Sequence, residues 1–587
     1  MWFAFVLTFL FGQTAPVGII KTSEIKPGMK GYGLTVFSGE EPVKFDIEVI
    51  GVMRRAMIDQ DLILVRCKHP VLEHTGVIAG MSGSPIYIDG KFAGGLGYGY
   101  QFAKDPIALI TPAEDIVRTM QRPVQNIDVW GRTAMTSADN WTTYVQNSIV
   151  AASNPLVRTE ATVMPLSMSL SVSGVPVDRF ADFFPMLTAL GPTVPAGTSE
   201  GLATSKAYKP GAPVAVWLIS GDINVSAIGT VTHVDGDRVA VFAHPFLSMG
   251  EMRLPTGNAV IHTVIARQSN SMKIGTLTAA RGALIRDEQP AVVLDQSAQP
   301  GFLPVTVTVV PPGENAKTYN FKVARHRTIS PNLVFGLVRL AINRLAQHAT
   351  DFTFTVDHEF QMEGMAPIRF TDSFSSMDGL RLDFPGGWDN WGNVPRGEIA
   401  LHLLLNNPFA RLALSRVNVR VHVTRGLNLY QIRKVETTPI AFADREFALK
   451  IRLRPLVGEE IEKTVRIKLP RSFAGHHVFL EVSAGRDTPI DAAQPRDIDG
   501  LLDFIKKSMD AHSLVVTVRS PAPQLDMEGM MVSDVPLSVL DTLVRRGLST
   551  PLRVEQTLYR QVVRFPEILA GVARCKLVIK DPTQQLK

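Results

Sequence analysis

Cysteine is nearly absent from this chain of 587 residues, which contains only Cys67 and Cys575. Neither cysteine has a C-x-x-C partner, so the sequence excludes the disulfide framework that is typical of small secreted domains. Cys67, His69 and His74 are residue types that bind zinc, but their spacing matches no zinc-ligand pattern. We therefore expect neither a metal nor a cofactor.

A large excess of one charge is also lacking. The 60 basic and 55 acidic side chains leave a net charge of +5, and the basic residues are scattered along the chain. A nucleic-acid-binding protein usually concentrates basic residues in a patch, so we expect no nucleic-acid partner. Hydrophobic residues make up 45% of the chain and charged residues 20%, which is typical of a globular protein of several domains.

Long hydrophobic runs are missing beyond the N-terminus. A membrane span needs roughly 18 uncharged apolar residues, and no later stretch of the sequence reaches that length. The run from Trp2 to Phe11 is interrupted only by Thr8. It is long enough for the core of a signal peptide and too short to cross a bilayer as a helix. We predict a signal-like segment at residues 1–18 and export to the periplasm, the cell envelope or the extracellular space. The usual basic start is missing, so the alternatives are a hydrophobic first strand and an initiation site placed too far downstream.

Short strands punctuated by glycine dominate the rest of the sequence. Residues 19–123 predict a first β-barrel, in which Asp89-Gly90 forms a hairpin turn between two apolar runs. Residues 124–205 have a mixed composition that is typical of a connecting region. Residues 206–349 resemble the first block in style, which predicts a second β-barrel.

The remaining chain alternates apolar and polar residues in strand-like segments. Residues 350–490 predict an Ig-like β-sandwich, and residues 491–587 predict a small α+β region with amphipathic helices. The predicted fold class is therefore mainly β, with a double β-barrel region followed by a sandwich and the α+β region.

The segment Gly80–Pro85, with the sequence GMSGSP, carries the clearest chemical signal. A serine hydroxyl is a weak nucleophile that needs a base, a group that orients the base, and donors for the developing oxyanion. Ser82 between two glycines can lie on a tight turn, from which the backbone amides of Gly80 and Ser82 can point at an oxyanion. The turn then leads into a strand, as the nucleophile turn of a chymotrypsin-like barrel peptidase does.

Three blocks of sequence, including this turn, resemble the SpoIVB-type serine peptidase family over about residues 20–310. The blocks are KPGMKGYGLTVFSGEEPVKFDIEVIGV, LEHTGVIAGMSGSPIYIDGKFAGGLGYG and IGTVTHVDGDRVAVFAHPF. The resemblance implies a chymotrypsin-like double barrel with Ser82 as nucleophile. It also implies that His244 is the general base, with Ala243 in place of the glycine that precedes the histidine in the family.

The sequence departs from the family pattern in two ways. The family's histidine precedes its serine, whereas here Ser82 comes first; triads are defined by geometry, so this order is acceptable. The family's aspartate precedes the serine closely, and the matching position here is near His69. We expect Asp287 to orient His244, with Asp46 and Asp237 as alternatives. His233, on the preceding predicted strand, is the rival base.

These features together predict an exported serine endopeptidase that hydrolyses protein or peptide substrates through an acyl-enzyme in the cell envelope. The alternative, from a different functional class, is a non-catalytic envelope binding or assembly protein that retains a protease fold. The missing aspartate near position 69 and the large C-terminal half favour this alternative.

Overall fold

The computed structural model describes residues 18–100, 102–124, 163–197, 205–345, 351–376 and 396–488, and beyond them 495, 497–507, 510–520, 524–527, 530–532, 538–539, 542, 552–553 and 556–583. The described residues up to Leu303, together with Phe321–Leu333, form a first compact unit. Pro304–Asn320 and the described residues from Val334 onward form a second compact unit. The predicted signal-like segment lies outside the described residues, except for Gly18.

The first unit begins with a closed barrel of six strands, and the fold is mainly β as predicted. The sheet has the order β4-β1-β2-β3-β6-β5-β7, and β4 also pairs with β5, which closes the ring and leaves β7 outside it. The strands are β1 (Lys30–Thr35), β2 (Val43–Met57), β3 (Gln60–Lys68), β4 (Pro85–Ile88), β5 (Lys91–Tyr100), β6 (Ile107–Pro112) and β7 (Val163–Pro165).

Alternation of side chains along the strands builds the core of this barrel. In β2, Phe45, Ile47 and Val49 are buried. Lys44, which precedes Phe45, and Asp46, which follows it, are exposed. Successive strand residues point to opposite faces, so this period of two places one apolar face inside the ring. Each fully buried side chain of this size contributes about 1.5–3 kcal/mol, so the buried face stabilises the barrel.

The second sheet of the first unit curls back on itself, because β10 pairs with both β11 and β13. Eight consecutive strands of this larger sheet lie within the first unit, in the order β10-β13-β14-β15-β12-β11-β8-β9. The strands are β8 (Ser169–Ser173), β9 (Thr193–Pro195), β10 (Pro213–Gly221), β11 (Asn224–Asp235), β12 (Arg238–Val241), β13 (Gly250–Ile265), β14 (Met272–Asp287) and β15 (Val292–Asp295).

Helices in the described part of the first unit are short. Pro112 is the N-cap residue of a helix that has Glu114 and Asp115 in its first turn. The α-helices are α1 (Pro70–Thr75), α2 (Ala113–Gln121) and α3 (Phe180–Phe183), and the 3-10 helices are Thr22–Glu24, Val177–Arg179 and Pro185–Leu190.

Three further elements begin among the residues of one unit and end among those of the other. They are β16 (Phe302–Val310), β17 (Lys317–Ala324) and α4 (Ile329–Leu345). In the second unit, β16 pairs in parallel with β20, and β20 pairs antiparallel with β18, which pairs with β19. These strands are β18 (Phe352–Met362), β19 (Ile368–Ser376) and β20 (Leu414–Arg425), and helix α5 is Arg396–Leu405.

The rest of the second unit contains sheets of order β24-β23-β21-β31, β22-β32-β25-β26-β30 and β28-β27-β29. Strands of the first two sheets share one hydrophobic core that includes residues from Ile432 to Ile579. That core extends past residue 490, the expected end of the sandwich, and the Ig-like arrangement stays a prediction. None of the described helices is long and apolar enough to cross a membrane.

The elements of this part are β21 (Leu429–Glu436), β22 (Ile440–Phe442), β23 (Glu446–Pro455), β24 (Ile461–Lys468), β25 (His477–Ala484), β26 (Ser513–Ser520), β27 (Gln524–Met527), β28 (Met530–Val532), β29 (Leu552–Arg553), β30 (Gln556–Arg564), β31 (Ile568–Ala570), β32 (Val572–Lys580), α6 (Ile498–Lys507) and the 3-10 helices Arg471–Phe473 and Gly485–Asp487.

Candidate active site

The GMSGSP segment forms a tight turn between α1 and β4. Gly80 and Gly83 have φ angles of +96° and +91°, in the left-handed region that favours glycine. A Cβ atom on Gly83 would lie 2.2 Å from the carbonyl oxygen of Thr230 and 2.4 Å from the amide nitrogen of Phe242. Both glycines are therefore required, one of them for close packing of the turn against β11 and the residue after β12.

Ser82 lies at the centre of this turn and is fully buried. Its carbonyl oxygen accepts a hydrogen bond from the amide of Thr230 at 2.9 Å, which ties the turn to β11. Its Oγ has no hydrogen-bond partner among the described residues. Buried polar atoms are nearly always hydrogen-bonded, so this hydroxyl is an exception that calls for a functional explanation.

His244 follows β12 on a strained stretch of backbone. Phe242 and Ala243 have φ angles of +67° and +56°, which non-glycine residues rarely adopt. Ala243, which the resemblance aligned with a glycine of the family, therefore has a backbone conformation that favours glycine. The His244 ring is fully buried, with its centroid 6.3 Å from the Tyr98 ring and 6.2 Å from the Phe242 ring.

Phe242 and Ala243, the two residues before His244, pack against the Ser82 turn and against β5 respectively. Gly83 packs on Phe242, and a Cβ on Gly97 of β5 would lie 2.3 Å from the Ala243 carbonyl oxygen. That oxygen also accepts a hydrogen bond of 2.6 Å from Thr111 Oγ1. No hydrogen bond joins Ser82 Oγ to the His244 ring in this structure, because Ser82 Oγ has no partner.

Asp287 contacts the loop after His244 and not the position expected of a triad acid. Its carboxylate accepts hydrogen bonds from the amides of Phe246, Leu247 and Met249, at 2.6, 2.7 and 3.2 Å. Burial raises the pKa of Asp287, and these backbone hydrogen bonds oppose the increase. The expected contact with Nδ1 of His244 is replaced by the carbonyl oxygen of Pro245, which lies 2.7 Å from Nδ1.

The alternative residues have other environments. His233 stacks on the Phe92 ring at 4.7 Å between centroids, and burial lowers its pKa. Asp46 and Asp237 are exposed, whereas the His244 ring is buried. Neither carboxylate therefore shares the enclosed environment of His244.

The Gly80 amide, one of the two predicted oxyanion donors, is already engaged. It donates a hydrogen bond of 2.9 Å to the carbonyl oxygen of Ser167, in the segment that follows β7. An amide that donates to a protein carbonyl cannot simultaneously give a full hydrogen bond to a substrate oxyanion. In this conformation Gly80 does not serve as an oxyanion donor.

Lys273 on β14 is a buried lysine that the sequence reasoning missed. Its backbone amide donates to the Ala79 carbonyl at 3.1 Å, and a Cβ on Gly80 would lie 3.1 Å from its Cδ. Its Nζ donates to Thr35 Oγ1 at 2.8 Å, and Lys273 forms no ion pair within the described ranges. Burial lowers the pKa of Lys273 to about 7. The only sequence signal was a lysine inside an otherwise largely apolar strand.

The residues of zinc-binding type have structural roles. Cys67 is buried, and burial raises the pKa of its thiol to about 12. The Nδ1 of His69 accepts the Val71 amide at 3.2 Å as the N-cap of α1. Across the part of the chain that the structure describes, no three histidine, cysteine or acidic side chains are grouped so that they could hold a metal ion.

Comparisons with known proteins give one match. The family model described as SpoIVB peptidase S55 matches residues 10–106, a range that includes Ser82 but not His244 or Asp287. Neither the curated proteins nor the solved structures gave a match. The matched residues contain the GMSGSP turn and five of the six barrel strands, so this part of the chain is similar to the SpoIVB peptidase S55 family.

Proposed function

We propose that this protein is a serine endopeptidase in which Ser82 is the nucleophile and His244 the general base. The observation that carries the proposal is the buried Ser82 hydroxyl, which has no hydrogen-bond partner among the residues that the structure describes and lies on a two-glycine turn packed beside the His244 segment. The family match over residues 10–106 supports peptidase chemistry. The second barrel and the chymotrypsin-like arrangement belong to this proposal.

The hydrogen bond at Nδ1 assigns the tautomer of His244. A carbonyl oxygen can only accept, so the contact with Pro245 requires the proton on Nδ1. In the neutral ring Nε2 is then the basic nitrogen that takes the proton from Ser82 Oγ as it attacks the substrate carbonyl. The same proton passes to the leaving amine, and water hydrolyses the acyl-enzyme with His244 again acting as base.

Asp287 acts in this proposal as a positioning residue. By accepting three amides of the loop that follows Pro245, it fixes the backbone from which the Pro245 carbonyl contacts Nδ1. A neutral carbonyl stabilises an imidazolium less than a carboxylate does. We therefore expect a slower enzyme than one with a complete Ser-His-Asp triad.

A serine-directed fluorophosphonate tests the nucleophile. The native chain and the Ser84→Ala variant should be labelled, because Ser84 Oγ only donates to the Met81 carbonyl at 2.7 Å. The Ser82→Ala variant should not be labelled and should cleave no protein substrate. Equal labelling of Ser82→Ala and the native chain would refute the assignment.

The second candidate function is that of a non-catalytic envelope binding or assembly protein. It is favoured by the lack of a hydrogen bond between Ser82 and His244 and by the full burial of both residues. If the folded native chain is not labelled under any activating condition, including displacement of Val163–Met168 from the edge of β5, this function replaces the peptidase.

The proposed location is the cell envelope, where the enzyme would act on protein substrates. The apolar run Trp2–Phe11 supports this location. Mass spectrometry of the N-terminus of protein isolated from the envelope should show loss of a segment of about 18 residues, as expected of a cleaved signal peptide. An intact N-terminus on cytoplasmic protein would contradict export.

A further inference from the structure

Strand β7 lies outside the closed ring of the barrel, on the C-terminal half of β5. Its three residues pair antiparallel with β5, with Tyr98 opposite Pro165, Gly99 opposite Met164 and Tyr100 opposite Val163. The six other strands of this sheet close the barrel without it. β7 therefore occupies a sheet edge that an extended peptide could use in its place.

The backbone after β7 continues towards the nucleophile turn. The amide of Leu166 donates to the Gly97 carbonyl at 2.9 Å, and the carbonyl of the next residue, Ser167, accepts the Gly80 amide at 2.9 Å. The Leu166 side chain is buried beside Gly99, where a Cβ would lie 2.8 Å from Leu166 Cδ2. The segment thus makes a strand pairing, an apolar side-chain contact and a carbonyl contact in succession.

These are the contacts that a peptidase makes with its substrate. An extended substrate adds to a sheet edge through main-chain hydrogen bonds, and the carbonyl to be attacked points at backbone amides beside the nucleophile. Ser82 and His244 have no exposed surface in this conformation. A substrate peptide cannot reach the Ser82 hydroxyl until some part of the surrounding structure moves.

We propose that Val163–Met168 is a built-in pseudosubstrate, which covers the peptide-binding edge of β5 and the Gly80 amide and leaves when a substrate binds. This inference rests on the proposed function, since it assigns the regulation and substrate class of the same site. The substrates are extended peptides with an aliphatic side chain at the position of Leu166, because Gly99 leaves room there for such a side chain.

The Leu166→Pro variant tests the inference. Proline has no amide hydrogen, so the variant loses the hydrogen bond to Gly97 together with the leucine side chain. A matched control is Leu456→Pro, which also removes one backbone hydrogen bond, from Leu456 to the Leu429 carbonyl at 3.1 Å in the second unit. We expect fluorophosphonate labelling of Ser82 to be at least tenfold faster in Leu166→Pro and unchanged in Leu456→Pro.

A binding measurement separates this inference from the proposed function. In a Ser82→Ala background, a labelled peptide of sequence VMPLSM should bind the Leu166→Pro variant, followed by fluorescence anisotropy, and should not bind the chain with its native segment. If the Leu166→Pro variant binds the peptide in the Ser82→Ala background but is not labelled when Ser82 is present, the peptidase is refuted. The peptide-binding edge that Val163–Met168 covers is then retained. A folded Leu166→Pro variant that binds no peptide and is labelled no faster would overturn the inference.

Hydrogen exchange of the native chain provides a test that does not depend on the variant folding. Among the described residues the Gly80 amide donates to the Ser167 carbonyl alone, whereas the Gly83 amide donates to Leu96 within the barrel at 2.8 Å. If Val163–Met168 leaves while the barrel stays folded, Gly80 should exchange at least tenfold faster than Gly83. Equal protection of the two amides would contradict the inference.

Discussion

Replacing Lys273 by methionine changes one buried charge and keeps most of the side-chain volume. Lys273 has no exposed surface, its stem packs on Gly80, and its described partner is the neutral hydroxyl of Thr35. A buried ammonium without an anion is costly, because the low-dielectric interior does not replace the water that solvates the charge. The Lys273→Met variant removes that cost.

The size of the effect follows from the pKa of Lys273. Burial lowers it from 10.5 to about 7. Since one pKa unit corresponds to about 1.4 kcal/mol, holding Lys273 charged in the folded state costs about 5 kcal/mol. Between pH 7 and 10 the unfolded chain binds one more proton at this site than the folded chain. The contribution of Lys273 to the free energy of unfolding therefore increases by about 1.4 kcal/mol per pH unit in this window.

Urea unfolding of the native chain and Lys273→Met at pH 7.5 and pH 9.5 measures this contribution. The variant should gain most relative to the native chain at the lower pH, and its advantage should shrink by about 3 kcal/mol at the higher pH. Other titrating groups are shared by the two proteins and cancel in the difference. If the difference in unfolding free energy between the two proteins does not change with pH, Lys273 is not a buried lysine with a depressed pKa, and the reasoning is refuted.

Two further substitutions test the site. Gly83→Ala should cost about 2–5 kcal/mol of unfolding free energy, from its positive φ and the clash with Thr230, whereas Gly90→Ala should cost only about 1–2 kcal/mol, since φ is +74° but nothing lies within 4 Å of its Cβ. Equal losses in urea unfolding would contradict the close packing of the nucleophile turn. Asp287→Asn should lower kcat for a peptide substrate about tenfold or more with little change in KM, because the asparagine amide faces backbone donors and the loop beside His244 shifts. An unchanged kcat would contradict the positioning role of Asp287.

The barrel and the nucleophile turn were predictable because their signals are local. Glycine on both sides of Ser82 and the Asp89-Gly90 turn specify backbone conformations through φ alone, and β2 shows the alternation that identifies a strand with one buried face. The resemblance to the SpoIVB-type family over these residues is confirmed by the family match. The pairing of Ser82 with His244 stays a proposal.

The contacts of Asp287 and Lys273 could not be read from the sequence. An aspartate at the end of a strand can accept from a histidine ring or from the amides of a nearby loop, and the amino-acid pattern is the same in both cases. A lysine inside a strand usually reaches solvent, and only the packing of β14 against Gly80 encloses this one. Both outcomes depend on strands that are far apart in the chain.

The sequence by itself determined the mainly β class, the position of the turn around Ser82 and the resemblance to a peptidase family, because each depends on neighbouring residues. Only the tertiary structure decided that Phe242 packs against the turn and Ala243 against Gly97 of β5, that the Pro245 carbonyl faces His244, and that Ser167 occupies the Gly80 amide. These contacts join segments about 80 to 160 residues apart, or depend on a backbone strain that only the folded chain imposes. The state of the active site is therefore a property of the fold and not of the motif.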